Sequence, residues 1–313
     1  MNGLNLLEPT EDGLYCPAGD FFIDAWRPVD RVVVTHAHGD HACRGCGRYL
    51  TSRDGEQVLR VRMGQEAVID TAGYGDVMHL NGVQVSLHPA GHILGSAQVR
   101  LEHEGMVWVV SGDYKVEPDA TCAPFEPVKC HVFVSESTFG LPIYRWPKQA
   151  DTFEAIRAWW RGNQEAGKAS VLFAYALGKA QRLIAGLGTT VGPIYTHGAV
   201  EALNEAYRKS GVALPETRHV SAASAADWSR SLIVAPPSAQ GTLWLRRFGP
   251  ISTGFASGWM RIRGLRRRRS VDRGFVLSDH ADWPGLLAAI DATGADQVWL
   301  THGYSAVVAR WLR

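Results

Sequence analysis

Short apolar runs dominate the first half of the chain and predict β-strands. Each run is bounded by Gly, Pro or Asp, a pattern that is typical of buried strands. We predict strands over residues 31–35, 83–87, 98–101, 107–111 and 131–135. Helical periodicity is weak before about residue 150. The first half is therefore predicted to consist mainly of β-structure.

Helices and strands alternate in the second half. Phe153, Ile156 and Trp160 would share one face of a helix over residues 152–166, which is the spacing of an amphipathic helix. Further helices are predicted over 179–187 and 199–209, and strands over 170–174, 231–235, 274–277 and 297–301. A last helix over 284–292 has Asp282 or Trp283 near its start, Pro284 in its first turn and Gly294 beyond its end, as helix boundaries prefer.

These patterns predict an α/β fold with soft boundaries near residues 144–150 and 264–273. We expect one domain from residues 1–148 and the return segment 274–313, with a second domain inserted over 149–273. A chain of 313 residues is long enough for two domains or for one large one.

Composition and charge narrow the class of protein. Hydrophobic residues make up 46% of the chain and charged residues 20%, which excludes a disordered or fibrous protein. The net charge is +1, so a site for a polyanion must be a local patch. Residues 1–7 do not resemble a secretory signal, and runs such as 171–177 are shorter than the ~18 residues of a membrane span. With five sparse cysteines, we expect a soluble, cytoplasmic protein without a membrane partner.

The strongest chemical signal is the segment from Thr35 to His41, which directly follows a predicted strand. It holds three imidazoles and one carboxylate within six positions, from His36, His38, Asp40 and His41. A strand end followed by a turn can direct such side chains to one point, where borderline metal ions take nitrogen and oxygen ligands. Four ligands so close together exceed what one tetrahedral ion with an open position accepts. The alternative, a set of surface histidines on a loop, is disfavoured by this density.

The segment His36-Ala37-His38-Gly39-Asp40-His41 resembles the HxHxDH signature of the metallo-β-lactamase superfamily. Further motifs follow in the order of that superfamily. Asp24 matches the Asp that precedes the signature and supports the metal loop. His92, in Ala-Gly-His-Ile-Leu-Gly-Ser, matches the ligand of the third motif, and Asp113, in Ser-Gly-Asp-Tyr, matches the carboxylate that bridges two metals.

Three later motifs resemble those of the β-CASP nucleases within the superfamily. Glu136 in Ser-Glu-Ser-Thr-Phe-Gly resembles motif A, His280 in Ser-Asp-His-Ala-Asp resembles motif B, and His302 in Thr-His-Gly resembles motif C. General similarity is greatest to the bacterial ligase-associated DNA exonucleases. The resemblance implies a four-layer αββα sandwich from residues 1–148 and 274–313, and a β-CASP α/β cap over 149–273.

The resemblance also implies two divalent metal ions, zinc in the first place and manganese as the alternative. The first ion would be held by His36, His38, His92 and Asp113. The second would be held by Asp40, His41, Asp113 and His302. A hydroxide between the ions would attack a phosphodiester, since two such cations lower the pKa of water and stabilise the leaving oxygen.

The remaining motif residues receive roles from the same resemblance. Asp40 and Asp113 would act in catalysis through the metals, and Asp24 would orient a ligand without touching an ion. His280 precedes a predicted helix start, a position that suits a phosphate. It would contact the phosphate or protonate the leaving oxygen, with Glu136 orienting it. A buried structural role remains open for both His280 and Glu136.

A concentrated basic region precedes motif B. Phe248, Phe255 and Trp259 are interleaved with its arginines, and such a composition suits a groove that follows phosphates and stacks bases. We predict nucleic-acid binding by Arg261, Arg263, Arg266, Arg267, Arg268 and Arg269. A solvated loop is the alternative for residues 266–269.

The leading functional prediction is a two-metal DNA exonuclease in DNA repair, functionally associated with a DNA ligase and a helicase. An RNA-processing β-CASP ribonuclease is the main alternative, because RNA-acting members carry His at motif C, as His302 does here. A scaffold that only binds nucleic acid is disfavoured, since every ligand position is filled. A small-molecule hydrolase would lack the insertion over 150–273, and diiron redox relatives carry Glu where His38 stands.

Overall fold

The computed structural model describes residues 5–222, 227–268 and 270–313. The chain divides into two compact units. Unit 1 comprises Met1–Ile143 and His280–Arg313, and unit 2 comprises Tyr144–Asp279. No helix among the described residues combines the length and the apolar character needed to cross a lipid bilayer. The architecture is mixed α/β, with three six-stranded sheets.

Sheet A of unit 1 is built from the first six strands in chain order. These are β1 (Glu8–Pro9), β2 (Leu14–Cys16), β3 (Phe21–Ile23), β4 (Arg31–Val33), β5 (Arg48–Ser52) and β6 (Ile69–Ala72). The pairs β1–β2 and β2–β3 are antiparallel, and β3 to β6 are parallel. The loop that follows β4 therefore starts at the edge where the parallel strands end.

Sheet B, the second sheet of unit 1, combines strands from both segments of that unit. From one edge to the other it contains β18 (Gln297–Thr301), β11 (Val132–Glu136), β10 (Met106–Val110), β9 (Ala97–His103), β8 (Val83–Pro89) and β7 (Val77–Leu80). Strand β11 is parallel to both β10 and β18, with Val132 opposite Gln297. Both β8 and β10 are antiparallel to β9. Strands β8, β10, β11 and β18 thus all end at the same edge of the sheet.

The two sheets of unit 1 share one hydrophobic core. Ile23 and Val33 of sheet A are buried together with Val85, Val99 and other inward residues of sheet B. Successive side chains of a strand point to opposite faces, so each inward position alternates with an outward one. Burial of one such aliphatic side chain contributes about 1.5–3 kcal/mol. This core holds the strand ends of the two sheets in fixed positions.

Seven α-helices complete the described residues. They are α1 (Glu56–Met63), α2 (Gln149–Glu165), α3 (Lys179–Leu187), α4 (Gly198–Lys209), α5 (Arg263–Arg268), α6 (Trp283–Thr293) and α7 (Ser305–Leu312). Helices α6 and α7 cover the outer face of sheet B, where Phe133 is buried with Ile290 and Val308. The Asp282 side chain accepts a hydrogen bond from Gly285 N at 3.0 Å and caps the start of α6.

Unit 2 is built around sheet C, in which every pair of neighbouring strands is parallel. Its strands, from edge to edge, are β14 (Arg218–His219), β13 (Ile194–Thr196), β15 (Leu232–Ala235), β12 (Ala169–Phe173), β16 (Ile251–Ala256) and β17 (Arg273–Phe275). Leu172 is buried on one face with Ile156 and Trp160 of α2. Val171 and Ile233 are buried on the opposite face. Burial on both faces explains the continuous apolar runs of these strands.

Most of the predicted elements are confirmed, with shifts of a few residues at their ends. Helix α3 and strand β18 have the predicted bounds. The prediction that helical structure is weak before residue 150 misses α1, a helix of eight residues. No strand was predicted for β1 to β3, β5 to β7, β13, β14 or β16 either. Short elements of this kind gain their stability from tertiary packing, which local sequence patterns do not show.

Candidate metal centre

The loop that follows β4 carries four of the predicted ligands. His36 and His41 are buried, His38 is half-buried and Asp40 is exposed. The backbone N–H groups of His41 and Ala42 donate to the carbonyl oxygen of His38 at 3.2 and 2.9 Å. This tight turn brings side chains from both ends of the loop to one place.

His92 and Asp113 reach the same place from the loops after β8 and β10. His38 Nδ1 lies 3.0 Å from His92 Nε2 and 3.1 Å from His36 Nε2. Asp113 Oδ2 lies 3.6 Å from His36 Nε2 and 3.7 Å from His92 Nε2. The ligand atoms of these four residues lie within 4.8 Å of one another. Three imidazole nitrogens and a carboxylate oxygen that converge in this way are a suitable donor set for zinc or a similar cation.

Asp40, His41 and His302 form a second group, whose ligand atoms also lie within 4.8 Å of one another. His41 Nε2 is buried and has no hydrogen-bond partner among the described residues. The same atom lies 3.5 Å from Asp113 Oδ2. A buried polar atom without a partner is costly, so this nitrogen suits a metal ligand. Asp113 is adjacent to both groups.

His302 reaches the second group through an uncommon backbone conformation. It follows β18 with a φ of 56°, in the left-handed region that residues other than glycine rarely adopt. Its ring centroid lies 5.2 Å from that of His41. The turn therefore places the imidazole beside His41, and strained residues of this kind cluster at functional sites.

The charges around the two groups change the proton affinities of their members. Burial and the neighbouring imidazoles lower the pKa of His36 well below its usual value. Burial alone would lower the pKa of His41, but the carboxylates of Asp113 and Asp24 raise it well above its usual value. Burial would likewise raise the pKa of Asp113, yet His41 and His280 hold it well below its usual range. Asp113 is therefore ionised at neutral pH and can bind a cation.

Asp24 fixes the orientation of the metal loop. Its carboxylate accepts hydrogen bonds from Thr35 N at 2.7 Å and from Thr35 Oγ1 at 2.6 Å. Asp24 Oδ2 also lies 2.6 Å from His41 Nδ1. With Nδ1 held by this carboxylate, His41 presents Nε2 to the second group. A carboxylate in this position orients the ring and raises its basicity as a ligand.

We expect Asp24→Asn to weaken metal binding at the second group by about 10- to 100-fold, as is usual when such an orienting carboxylate is changed. The amide has one acceptor oxygen in place of two, so it cannot accept all three hydrogen bonds from Thr35 N, Thr35 Oγ1 and His41 Nδ1. Competition titration with zinc measures the change. Asp30→Asn, at an exposed Asp next to β4, is the matched control. Equal affinities in the two variants would contradict the orienting role of Asp24.

A third group joins Asp113, Glu136 and His280. His280 Nδ1 lies 2.9 Å from both carboxylate oxygens of Glu136. The Tyr114 backbone N–H donates to Glu136 Oε1 at 2.8 Å. Glu136 ends β11 and is buried, whereas the His280 ring is half-buried, 4.7 Å from the ring of His92. The carboxylate therefore holds the imidazole of His280 beside the first group.

Gly112 allows Asp113 to approach the metal loop. A Cβ at Gly112 would lie 2.6 Å from Thr35 Oγ1, and Gly112 has a φ of +56°. We expect Gly112→Ala to lose stability and metal binding, because the added methyl group would displace Thr35. Thr35 donates hydrogen bonds to Asp24, which orients the metal loop. Gly105 has a φ of +76° but open space around it, so Gly105→Ala controls for backbone strain alone.

Overpacking should make Gly112→Ala about 1–3 kcal/mol less stable than Gly105→Ala. Thermal unfolding of both variants, with the bound metal measured in parallel, checks this expectation. Equal stability and equal metal content would show that the close approach at Gly112 is unimportant.

The predicted nucleic-acid-binding arginines belong to unit 2, whereas all residues of the three groups above belong to unit 1. The side chains of Arg261, Arg263 and Arg267 are exposed. The backbone of Arg266 and Arg268 forms part of α5. Arg269 lies outside the described residues. The binding role of these arginines stays a prediction.

Sequence analysis missed three contributors to the site. Thr35 and Ser96 hold the metal loop and the His92 loop, since Ser96 Oγ accepts a hydrogen bond from His92 N at 3.0 Å. Tyr114 contributes a backbone N–H, which no sequence motif reveals. All three residues lie in or next to the motifs named above, but the motifs do not show which hydroxyl or backbone groups hold the loops.

Several proteins that are similar to this chain carry the names of enzymes that act on nucleic acids. It is 31% identical over 303 residues to a protein of Opitutus terrae named "Probable DNA ligase", covering 96% of this chain and 29% of that protein. A homologue of this chain therefore carries the name of a DNA ligase. The chain therefore corresponds to less than a third of this relative's length. Comparison with protein-family models gave no match.

Proteins named endoribonuclease match smaller parts of this chain. The Yarrowia lipolytica endoribonuclease YSH1 is 25% identical over 194 residues, covering 50% of this chain and 23% of that protein. The Saccharomyces cerevisiae endoribonuclease YSH1 is 29% identical over 120 residues, covering 37% and 15%. These names belong to proteins that are much longer than the matched segments.

One solved structure shows a similar fold. It is a protein of unknown function from Enterococcus faecalis V583, with a TM-score of 0.58, 12% sequence identity, and coverage of 87% of this chain and 75% of that chain. At this identity the match concerns the fold alone.

Proposed function

We propose that this chain is a two-metal nuclease of the metallo-β-lactamase superfamily, β-CASP branch, which acts as an exonuclease on DNA. The observation that carries the proposal is Asp113, which joins three groups of ligand and acid–base residues. Its Oδ2 lies between His36 Nε2 and His41 Nε2, at 3.6 and 3.5 Å. A carboxylate shared in this way suits two cations, and two cations suit phosphodiester chemistry.

The fold supports the family assignment. Two six-stranded sheets with a common core, and helices on the outer face of one of them, agree with an αββα sandwich. Unit 2 interrupts unit 1 between Ile143 and His280, as an inserted β-CASP cap would. We therefore propose that unit 1 is the metallo-β-lactamase domain and that unit 2, Tyr144–Asp279, is the cap. The expected cap bounds of 149–273 differ from these, because β17 (Arg273–Phe275) pairs within sheet C.

The first metal ion would be held by His36, His38, His92 and Asp113. The second would be held by Asp40, His41, Asp113 and His302. Zinc suits these nitrogen and oxygen donors, and manganese is the alternative. When bound, the ions supply a water of lowered pKa and neutralise charge that develops on the phosphate.

The chain's own residues would orient ligands and move a proton. Asp24 holds His41 Nδ1 at 2.6 Å, so that Nε2 is the ligand atom. Glu136 accepts a hydrogen bond from His280 Nδ1 at 2.9 Å. The other ring nitrogen of His280, Nε2, would therefore be the atom that acts on a substrate. From this nitrogen a proton would pass to the leaving oxygen of the cleaved strand. The arginines of unit 2 would bind the phosphates of the strand farther along.

DNA is the proposed substrate because of the ligase-named homologue. That protein carries a segment similar to 96% of this chain within a polypeptide more than three times as long. A nuclease that trims an end and a ligase that joins ends act on successive states of the same break. We therefore place this chain in DNA repair, in functional association with a DNA ligase.

Cleavage of RNA is the second candidate. It is favoured by His302, because RNA-acting β-CASP members carry His at motif C, and by the matches to proteins named endoribonuclease. The site geometry is compatible with either sugar, since the residues of the three groups would address phosphate oxygens.

A time course on matched single-stranded DNA and RNA, each labelled at the 5′ or the 3′ end, tests the proposal. The purified protein is assayed with zinc or with manganese, and with a chelator as control. We expect DNA to shorten from one end in a metal-dependent manner. Cleavage of RNA with DNA left intact would favour the second candidate. Binding of either strand without cleavage under all conditions would contradict the nuclease proposal.

A further inference from the structure

A cavity of about 570 Å³ lies beside the metal loop, within unit 1. Asp40 and His302 of the second metal group line one part of it. Trp26, Arg44 and Arg62 line the remainder and have no role in the site described above. The cavity therefore continues from the candidate metal centre onto a surface that carries two cations and an aromatic side chain.

Arg62 is packed closely against the metal loop. A Cβ at Gly39 would lie 2.9 Å from Arg62 Nη2, so the guanidinium lies directly against the backbone of the metal loop. Arg62 Nε is buried and has no hydrogen-bond partner among the described residues. A buried guanidinium donor without an acceptor is unfavourable in the isolated protein. Arg62 also lines the cavity, so an anion in the cavity would lie close to its positive charge.

Arg44 adds a second positive charge next to that of Arg62. Its Nε donates to the carbonyl oxygen of Arg62 at 2.6 Å, which brings the two side chains together. Burial and the proximity of Arg44 both lower the pKa of Arg62. Neither arginine has a carboxylate within 4.0 Å in the described part of the chain, although Asp40 lies nearby. The two adjacent cations favour an anion in the cavity, although the charge of Asp40 offsets part of theirs.

Trp26 gives the cavity an aromatic wall. Trp26 is 61% exposed, so its ring is accessible to a ligand in the cavity. Exposed aromatic rings stack with nucleic-acid bases of any sequence. Guanidinium groups bind phosphate oxygens with matched geometry.

We infer that this cavity is a phosphate subsite, in which Arg62 and Arg44 bind a phosphate of the substrate strand and Trp26 stacks on an adjacent base. The inference rests on the proposed nuclease function and extends it to the residues that seat the strand beside the metals. The phosphate has two possible sources, a terminal phosphate at a free end or an internal phosphodiester next to the one cleaved.

Arg62→Met tests the subsite, with Arg60→Met as the matched control. Both residues belong to α1 and both variants remove one positive charge, but Arg60 pairs with Glu56 at 2.9 Å and does not line the cavity. Binding of fluorescent single-stranded DNA with a 5′-phosphate, a 3′-phosphate or hydroxyl ends is measured by anisotropy, with chelator present. Omitting metal separates binding from cleavage. Bound metal is measured separately for each variant.

We expect Arg62→Met to weaken binding about tenfold or more, and to reduce the dependence of log K on log salt by about one. Arg60→Met should behave like the unaltered protein. Loss confined to one phosphorylated oligonucleotide identifies a terminal phosphate, and equal loss for all identifies an internal one. Trp26→Ala, at an exposed position that the fold does not need, should also weaken binding, and Trp26→Phe should restore most of it.

Unchanged DNA binding by Arg62→Met would overturn the inference. Reduced metal content with unchanged DNA binding would also overturn it, and would make Arg62 an electrostatic partner of Asp40. Failure of the nuclease proposal is distinguishable, since the unaltered protein would then bind without cleaving, while the difference between the Arg62 and Arg60 variants would persist.

Discussion

Asp113→Asn is expected to abolish nuclease activity, by a factor of about a thousand or more. Asp113 Oδ2 lies within 3.5 to 3.9 Å of ring nitrogens from His36, His41, His92 and His280. The asparagine keeps the shape of the side chain but removes the negative charge that both cations would share. A thousandfold loss corresponds to about 4 kcal/mol, which is within the several kcal/mol that metal ions contribute to such transition states.

The metal content of Asp113→Asn shows whether its loss of activity comes from a loss of bound metal. Plasma mass spectrometry should find about two ions per chain in the unaltered protein and fewer in Asp113→Asn, because the shared ligand is weakened. Asp70→Asn is the control, since Asp70 is exposed and pairs with Arg48 at 3.4 Å on the surface, where such pairs contribute little. A variant at Asp113 with two ions and full activity would contradict the assignment of the metal ligands.

His280→Ala is expected to slow DNA cleavage by about 10²- to 10⁴-fold, the usual contribution of a positioned acid or base, while metal binding stays intact. Glu136→Gln should produce a smaller loss. The glutamine can still accept a bond at His280 Nδ1, but it no longer stabilises the positive charge of a protonated imidazole.

The choice of substrate tests the proton-transfer role of His280 directly. Bis(p-nitrophenyl) phosphate releases nitrophenolate, a leaving group that needs no proton. If His280 protonates the leaving oxygen, His280→Ala should cleave this compound nearly as fast as the unaltered protein does. Equal losses on DNA and on the nitrophenyl ester would instead indicate that His280 only contacts the phosphate. His79→Ala, at an exposed histidine outside the three groups, is the control for histidine loss.

Local patterns in the sequence predicted those parts of the fold that carry strong periodicity or clear end signals. Helix α6 is an example, because Asp282, Pro284 and Gly294 define its ends by local hydrogen bonding and backbone preference. Helix α1 was missed because only Val58 and Leu59 of its eight residues are buried, too few to produce a helical period. The two-residue strand β14 depends entirely on its neighbour in sheet C.

The candidate site, like the fold, could be predicted only in part from the sequence. His36 could be singled out because so dense a cluster of imidazoles is rare, and His92 because its motif resembles one of the metallo-β-lactamase superfamily. The convergence of four separate loops could not be derived from spacing. It depends on the loop after β4 of sheet A meeting the ends of β8, β10 and β18 at one edge of sheet B. Arg62 was not singled out, because an arginine on a surface helix has no distinguishing pattern until Gly39 is seen against its guanidinium.

The pairing of β18 with β11 makes the order of synthesis relevant to how the metal centre matures. Val132 of β11 pairs with Gln297 of β18, so all of unit 2 is synthesised between the two strands. At about 5–20 residues per second this interval is roughly 10 to 30 s, during which the open edge of β11 offers unpaired backbone groups to any nearby strand. The four residues of the first group are all made before residue 114, whereas His302 of the second group follows much later in the chain. Under the proposed assignment, the nascent protein would therefore hold the ligands of its first ion long before those of the second are complete.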